Sequence, residues 1–164
     1  MPAHFTPTLR AAQPADAPAL TALLHETFRD TWLPQLRPPA AQAWLRERQA
    51  ERYVAESGAA FVVATIGDTL AGFIHHDADF IHALHVSGRY RRHGIGLALL
   101  TRAEQAMRDD GYALSRLETD TFNTASRAFY IACGYREVAQ YPDEEWNSGF
   151  TTVLLTRPLL PAAP

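Results

Sequence analysis

The stretch between residues 80 and 109 constrains the fold more than any other part of the chain. It begins with FIHALHV at 80–86, an apolar run with branched and aromatic side chains that predicts a strand. A turn with two glycines, RRHGIG at 91–96, separates this run from a helical pattern. The apolar residues that share one face of that helix are Ile95, Leu99, Ala103 and Ala106. The sequence therefore predicts a strand, a glycine turn and a helix in immediate succession.

The glycine turn is a candidate anion site. A strand that enters a helix through glycines leaves backbone N–H groups unpaired at the positive end of the helix dipole. A phosphate group can approach such a main chain closely, since Gly94 and Gly96 have no Cβ. The preceding Arg91, Arg92 and His93 add cationic or titratable groups. Glycines that only permit close packing of helix and strand, with solvated arginines before them, fit the same motif, so both interpretations stay open at this point.

A nicotinamide-binding turn is a third interpretation of the same glycines. Glu118 lies near the distance downstream at which that fold places an acidic residue. However, Leu99 stands where the pattern G-x-G-x-x-G requires its third glycine, and too little sequence follows to complete a doubly wound sheet. The sequence therefore disfavours a nucleotide-dependent oxidoreductase.

Periodicity along the whole chain predicts a mixed α/β domain with the order β, α, α, three strands, α, β, α, β, β. The first helix is expected to run to about Arg37 and to stop at Pro38 and Pro39, and the second to cover about 40–55. The predicted strands span 8–13, 59–66, 70–76, 80–86, 113–120, 135–140 and 149–156, and the later helices start near 95 and at 123. Residues 157–164 are expected to form a loose tail.

Composition excludes several classes of function. A chain of 164 residues without a repeat or linker predicts one domain over 1–164. Its net charge is −3, and acidic and basic residues are interleaved, so no basic surface for nucleic acid or a membrane is expected. No apolar stretch is long enough to cross a bilayer. All fifteen basic residues are arginine, which excludes lysine chemistry. The single Cys133 and an N-terminus without an apolar leader predict a cytoplasmic location.

Two motifs make the stretch from Leu84 to Tyr135 resemble the acetyl-CoA-binding half of the GNAT N-acetyltransferase superfamily. The family pattern Q/R-x-x-G-x-G/A is matched at Arg91, Gly94 and Gly96. The later pattern N…Y…G-F/Y is matched at Asn123, Tyr130, Gly134 and Tyr135. The predicted order of elements is similar to that fold over nearly the full chain. The resemblance implies a mostly antiparallel twisted sheet of six to seven strands, flanked by about four helices and splayed at a cofactor cleft.

The resemblance also implies how acetyl-CoA would bind as cosubstrate. Main-chain groups of Leu84 and Val86 would pair with the pantetheine arm like a missing strand, and Asn123 would steady the arm from the other side. The backbone amides that would hold the diphosphate are those of Arg91, Arg92, His93, Gly94, Ile95, Gly96 and Leu97. The acceptor would be a primary amine of a small molecule, a peptide or a protein. A non-catalytic acyl-CoA-binding regulatory module is the alternative, and the presence of Tyr130 and Asn123 argues against it.

Acetyl transfer needs a base and an acid, because only a neutral amine attacks a thioester and CoA leaves as a thiolate. Tyr130 stands where the resemblance implies the acid, although an aromatic residue beside Phe129 also fits a core position. Two residues are candidates for the base. His82 lies on the strand before the turn, and Glu118 ends the neighbouring strand. For both, an ordinary polar surface role is an equal interpretation.

Four histidines crowd the predicted hairpin region, namely His75, His76, His82 and His85. Adjacent strand residues point to opposite faces, and neither CxxC nor HExxH spacing accompanies these histidines, so no metal is expected.

The resemblance implies that the first two helices and the last hairpin loop form the acceptor side. Its aromatic positions are Phe28, Trp32, Trp44 and Tyr53. The loop carries Asp143, Glu144, Glu145 and Trp146. These residues would attract a cationic amine, or would form an ordinary solvated loop. An edge strand near the C-terminus would allow pairing into a homodimer.

Overall fold

A seven-stranded mixed sheet flanked by helices is the main feature of the fold. The computed structural model describes residues 5–144 and 148–159. The strands are β1 (Thr8–Ala11), β2 (Val62–Ile66), β3 (Thr69–Asp77), β4 (Phe80–Val86), β5 (Leu114–Asp120), β6 (Arg136–Pro142) and β7 (Thr151–Pro158). The α-helices are α1 (Ala17–Thr27), α2 (Pro38–Arg46), α3 (Gln49–Ser57), α4 (Ile95–Asp109) and α5 (Thr124–Ala132). The strand order is β1-β2-β3-β4-β5-β7-β6, which confirms the predicted mixed α/β class and strand number.

The first compact unit runs to His75 and also contains Ala83–Arg102. Within it, β1 pairs with β2 and β2 with β3, both antiparallel, and side chains of α1 and α3 pack on these strands. The buried cluster consists of Leu20, Leu23, Leu24, Ala50, Val54, Phe61, Val63 and Phe73. Burial of each large apolar side chain stabilises the fold by roughly 1.5–3 kcal/mol, so this cluster fixes α1 and α3 against the strands.

The second compact unit contains His76–His82 and the chain from Ala103 onward. Here β7 pairs antiparallel with both β5 and β6. The start of β4 pairs in parallel with β5 at Phe80↔Arg116 and Ile81↔Leu117, and these are the paired positions of the two strands among the described residues. The guanidinium of Arg116 donates two hydrogen bonds to Asp79, at 2.9 and 3.0 Å, which fixes the beginning of this pairing.

The helices before β2 differ from the prediction. α1 ends at Thr27, and a π-helical turn (Phe28–Trp32) and a 3₁₀ turn (Leu33–Gln35) follow it. Pro38 and Pro39 do not end this segment but begin α2, where a missing N–H has no cost. The predicted ending of the first helix near Arg37 was therefore wrong.

The predicted second helix is two helices, α2 and α3, separated by Arg48 in the left-handed region at φ 52°. Trp44 packs against the buried cluster from α2, and Ala50 lies in that cluster on α3. Six residues of continuous helix rotate by about 600°, which would turn Ala50 roughly 120° away from Trp44. Breaking the helix between them lets both side chains face the same core.

The predicted tail starts later than expected. β7 continues to Pro158, and Leu159 is buried. The Leu159 amide donates to Ala113 O at 2.8 Å, and Arg108 Nε donates to Leu159 O at 3.0 Å. Residues 157–159 are therefore part of the packed unit, while 160–164 lie outside the described residues.

None of the helices in the described ranges combines the length and the apolar character needed to cross a membrane.

Candidate active site

The turn between β4 and α4 presents a row of unpaired backbone amides. Arg92 and Gly94 both adopt the left-handed region, at φ 63° and 79°. Ala98 N–H closes the first turn of α4 on Gly94 O at 3.0 Å, but across the described chain the amides from Arg91 to Leu97 have no backbone acceptor. Successive N–H groups in such alternating conformations form a concave anion site, and the positive end of the α4 dipole adds to it. The predicted anion site therefore has the required main-chain geometry.

Some side chains of the turn are packed against other residues, and others are exposed to solvent. Ile95 is buried in the core, so only its amide is available to a ligand. Arg91 and Arg92 are exposed, and Leu97 is 52% exposed. The ring of His93 packs edge-on against Phe5 at 4.8 Å, which fixes its orientation at the turn. The exposed arginines supply positive charge, and Arg91 is also held by a hydrogen bond from its Nε to Val86 O. Ile95 fixes the turn to the core.

Leu84 and Val86 lie half-buried at the end of β4. Both follow the two positions at which β4 pairs with β5, so that pairing does not use their main-chain groups. The carbonyl of Val86 accepts a hydrogen bond from Arg91 Nε at 3.2 Å. A carbonyl oxygen has two lone pairs, so a second donor can still bind there.

Asn123 caps the N-terminus of α5. Its Oδ1 accepts a hydrogen bond from Ser126 N at 3.2 Å, a typical capping contact. The hydroxyl of Ser126 in turn accepts from Thr119 Oγ1 at 3.0 Å, which joins α5 to β5. One end of the Asn123 side chain therefore has a structural role. Its amide nitrogen is the end left for a ligand.

Tyr130 lies near the C-terminal end of α5 with its ring buried. Burial raises the pKa of its phenol above the ordinary value, and the neighbouring Tyr135 and Cys133 act in the same direction. Within the described ranges no residue accepts a hydrogen bond from its hydroxyl. At neutral pH the Tyr130 hydroxyl is therefore a protonated donor that these residues leave unbonded.

The two candidate bases follow the paired part of β4 and β5. The strands pair at Phe80↔Arg116 and Ile81↔Leu117, and His82 and Glu118 are the next residues along each strand. The rings of Phe80 and His82 have centroids 5.0 Å apart. The side chains of His82 and Glu118 are both exposed, so both candidates are accessible from solvent.

The other histidines have packing roles. The ring of His75 packs near Phe61 at 5.1 Å, and its Nδ1 hydrogen-bonds to the Tyr53 hydroxyl. His85 stacks on Phe73 at 5.2 Å, and burial together with the charge of Arg91 lowers the pKa of His85 to about 4. His85 is therefore neutral at physiological pH. Within the described ranges, no group of three or more His, Cys, Asp or Glu side chains is arranged to hold a metal ion.

The aromatic residues predicted for the acceptor side are mostly engaged in packing. Phe28 and Trp44 stack in parallel at 3.7 Å between centroids, whereas Trp32 is only half-buried and lies 5.9 Å from His85. In the last loop, Asp143 accepts a hydrogen bond from Ser148 Oγ at 2.5 Å, and Glu144 is exposed. Glu145 and Trp146 lie outside the described residues. Trp32, Trp44 and Tyr53 are each half-buried, so each keeps part of its ring exposed.

Sequence reasoning missed two groups of residues at these sites. Glu26 on α1 contacts Ser87 and Gly88, which lead into the glycine turn. Glu104 and Arg157 form an ion pair of 2.6 Å next to Tyr135. A charged residue on a helix or strand is usually solvated, so the sequence carried no signal for either contact.

Comparison with known proteins gives a consistent set of similarities. The family model described as "Acetyltransferase (GNAT) family" matches residues 17–135. A probable N-acetyltransferase of Mycobacterium tuberculosis is 32% identical, with 58% of this chain and 62% of that protein covered. N-acetyltransferase 8B of Rattus norvegicus is also 32% identical, with 65% of this chain and 49% of that protein covered. The match thus spans about half to three fifths of the length of these curated relatives.

The fold is also found among solved structures. The PaiA N-acetyltransferase of Thermoplasma acidophilum, crystallised in complex with coenzyme A, superposes with a TM-score of 0.75 at 21% identity. The superposition covers 93% of this chain and 99% of that one. At this identity the likeness concerns the fold.

Proposed function

Because the chain belongs to the GNAT acetyltransferase family, we propose that it transfers the acetyl group of acetyl-CoA to a primary amine of a small molecule, a peptide or a protein. The observation that carries this proposal is the row of unpaired amides from Arg91 to Leu97 at the start of α4. A diphosphate is the ligand that such a row fits best, since its oxygens accept several hydrogen bonds at once. The coenzyme A bound to the Thermoplasma acidophilum relative supports the same cosubstrate.

Calorimetric titration with CoA tests binding, and release of free thiol from acetyl-CoA across a panel of primary amines tests turnover. We expect CoA to bind and at least one amine to accelerate thiol release. Binding of CoA without thiol release on any amine would favour the alternative, a non-catalytic acyl-CoA-binding module. Absence of CoA binding would contradict both functions.

Replacement of Gly94 by alanine is expected to weaken CoA binding about tenfold, or about 1.4 kcal/mol. A Cβ at this position meets no protein atom within 4 Å, so it projects into the open space where the diphosphate would approach the amides. Alanine at φ 79° also costs stability, by about 1 kcal/mol. Calorimetry with CoA measures the first effect and urea unfolding the second.

Gly111 provides a matched control at the other end of the same helix. It has φ 87°, and a Cβ there also meets nothing within 4 Å. Gly111→Ala should therefore lose about the same stability, about 1 kcal/mol, without a change in CoA affinity. Equal loss of CoA affinity in both variants would show that the Gly94 effect is only backbone strain.

The proposed reaction is direct attack. The neutral amine adds to the thioester carbonyl carbon, which forms the C–N bond and places negative charge on the carbonyl oxygen. His82 takes the proton that the nitrogen loses, the C–S bond breaks, and Tyr130 donates a proton to the departing sulfur. Exchange with water then restores the protonation states of both side chains. The carboxylate of Glu118, which follows the paired Leu117 as His82 follows Ile81, stabilises the imidazolium that forms on His82.

Replacement of His82 by alanine is expected to lower kcat by about 10²-fold and to remove the acidic limb of the pH–rate profile, because the proton acceptor is lost. Glu118→Gln should retain most activity and keep the acidic limb, since the imidazole that accepts the proton is still present. Steady-state rates across the pH range provide the measurement. If Glu118→Gln lowers kcat more than His82→Ala does and also lacks the acidic limb, Glu118 is the base, and His82 takes the stabilising role proposed for Glu118.

The location and assembly of the protein are further parts of the proposal. The free, half-buried Cys133 supports a reducing compartment such as the cytoplasm. The outer strand β6 is largely exposed, with Val138 55% exposed, which supports edge-to-edge pairing of two copies. Light scattering of the purified protein tests the dimer.

A further inference from the structure

Glu26 is a carboxylate at the cofactor turn that the proposed chemistry does not use. It projects from α1 and accepts two hydrogen bonds from residues distant in sequence. Ser87 Oγ donates to Glu26 Oε1 at 3.1 Å, and Gly88 N donates to Glu26 Oε2 at 3.2 Å. Both oxygens of one carboxylate therefore bind the segment that joins β4 to the glycine turn.

The whole segment before the open amides is held by such contacts. Ser87 N donates to Ala71 O of β3 at 2.8 Å, and Tyr90 N donates to Ser87 O at 2.9 Å. Arg91 Nε donates to Val86 O at 3.2 Å. Up to Tyr90 the chain is thus fixed by β3, by α1 and by its own turn. The continuous row of unpaired amides starts at the next residue, and the amide of Arg89 also has no backbone acceptor within the described residues.

The contact with Glu26 has two consequences for an anion at the turn. It occupies the amide of Gly88, so a diphosphate is directed to the amides that follow. It also holds in place the chain just before Arg92, which is left-handed at φ 63° although it is not glycine. A chain held in this way loses less entropy when a ligand binds, because its conformation already exists in the free protein.

We propose that Glu26 is a positioning residue for the cofactor turn, and that its carboxylate, by fixing Ser87 and Gly88, sets the affinity of the turn for the diphosphate of CoA. This inference rests on the proposed function. Glu26 touches neither the diphosphate nor the reacting atoms in this proposal, so its removal acts on binding rather than on chemistry.

The test compares alanine and glutamine at position 26. Glu26→Ala should raise the dissociation constant for CoA and KM for acetyl-CoA about tenfold, with kcat and KM for the amine within about twofold of wild type. Glu26→Gln should restore most of the affinity. Its Oε1 can accept from Gly88 N, and its Nε2 can donate to the hydroxyl oxygen of Ser87. A role that concerned only general stability would not produce this split between KM and kcat.

Two further variants make the result decisive. Glu56→Ala removes an exposed carboxylate of α3 from the same unit and should leave CoA affinity unchanged. Ser87→Ala removes one of the two hydrogen bonds to Glu26 and should weaken CoA binding about threefold. If Glu26→Ala does not fold, Ser87→Ala provides the test instead. Wild-type affinity in folded Glu26→Ala, or in Ser87→Ala as its substitute, would overturn the positioning role. If the wild-type protein itself does not bind CoA, the proposed function fails instead.

Discussion

Replacement of Tyr130 by phenylalanine is expected to lower kcat by about 10²- to 10³-fold while the affinity for CoA changes less than about threefold. The phenol is the proposed proton donor to the CoA sulfur, and phenylalanine fills the same space without the donor. Burial keeps the pKa of Tyr130 above its ordinary value, so the donor is present throughout the neutral pH range. The pH dependence of kcat should therefore come from the base and not from Tyr130. Thiol release with saturating amine, together with CoA calorimetry, measures both effects.

Tyr135→Phe is the matched control for this substitution. The two rings are in edge contact, 5.6 Å apart, but the Tyr135 hydroxyl is bonded to Ser115 Oγ at 2.9 Å and to Glu104 at 3.3 Å. Removing it should cost about 1–3 kcal/mol of stability because buried partners are left unsatisfied. Tyr130→Phe breaks no such bond and should unfold like wild type. Equal kcat in Tyr130→Phe and wild type would remove Tyr130 from the mechanism.

Local pattern was sufficient to predict the strands and the turn. β4 was predicted at 80–86 and spans Phe80–Val86, and α4 starts at Ile95, one residue after the first turn glycine. Alternation and helical spacing are properties of neighbouring residues, so they survive folding largely unchanged. The row of unpaired amides in this turn could be predicted for the same reason, since it depends on main-chain groups next to Gly94 and not on distant partners.

Features that depend on distant residues could not be predicted. The break between α2 and α3 at Arg48 lets Trp44 and Ala50 pack on the same buried cluster. That cluster forms only when residues distant in the sequence come together. The parallel pairing of β4 with β5 at Phe80↔Arg116 and Ile81↔Leu117 joins segments more than thirty residues apart. Nothing near Glu26 in the sequence distinguishes it from Glu56, although Glu26 accepts hydrogen bonds from Ser87 and Gly88 and Glu56 is exposed.

The ion pair between Glu104 and Arg157 also joins residues that are distant in the sequence. Its loss should lower the free energy of unfolding more than any other substitution proposed for this protein. Glu104 is 3% exposed and Arg157 32%, so the carboxylate depends on its partner while the guanidinium also reaches water. Arg157→Met should therefore destabilise the fold by about 3–5 kcal/mol, because it leaves a buried charge without its cation. For a chain of this size that corresponds to a fall in Tm of roughly 6–20 °C. Urea unfolding measures the free energy, and thermal unfolding measures the midpoint.

The difference in exposure also predicts an asymmetry between the two partners. Glu104→Gln removes the negative charge beside the half-exposed Arg157, and water can solvate that cation, so the loss should be smaller, about 1–2 kcal/mol. In the double variant no buried charge remains, and its loss should be smaller than the sum of the two single losses by at least about 1 kcal/mol. Arg157→Met should also lower kcat. The Tyr135 hydroxyl donates to Glu104, and Tyr135 N donates to Tyr130 O at 3.0 Å, so a displacement of Tyr135 should also displace the proposed acid. Equal and additive losses in the single variants would mean that water, and not Arg157, stabilises the Glu104 carboxylate.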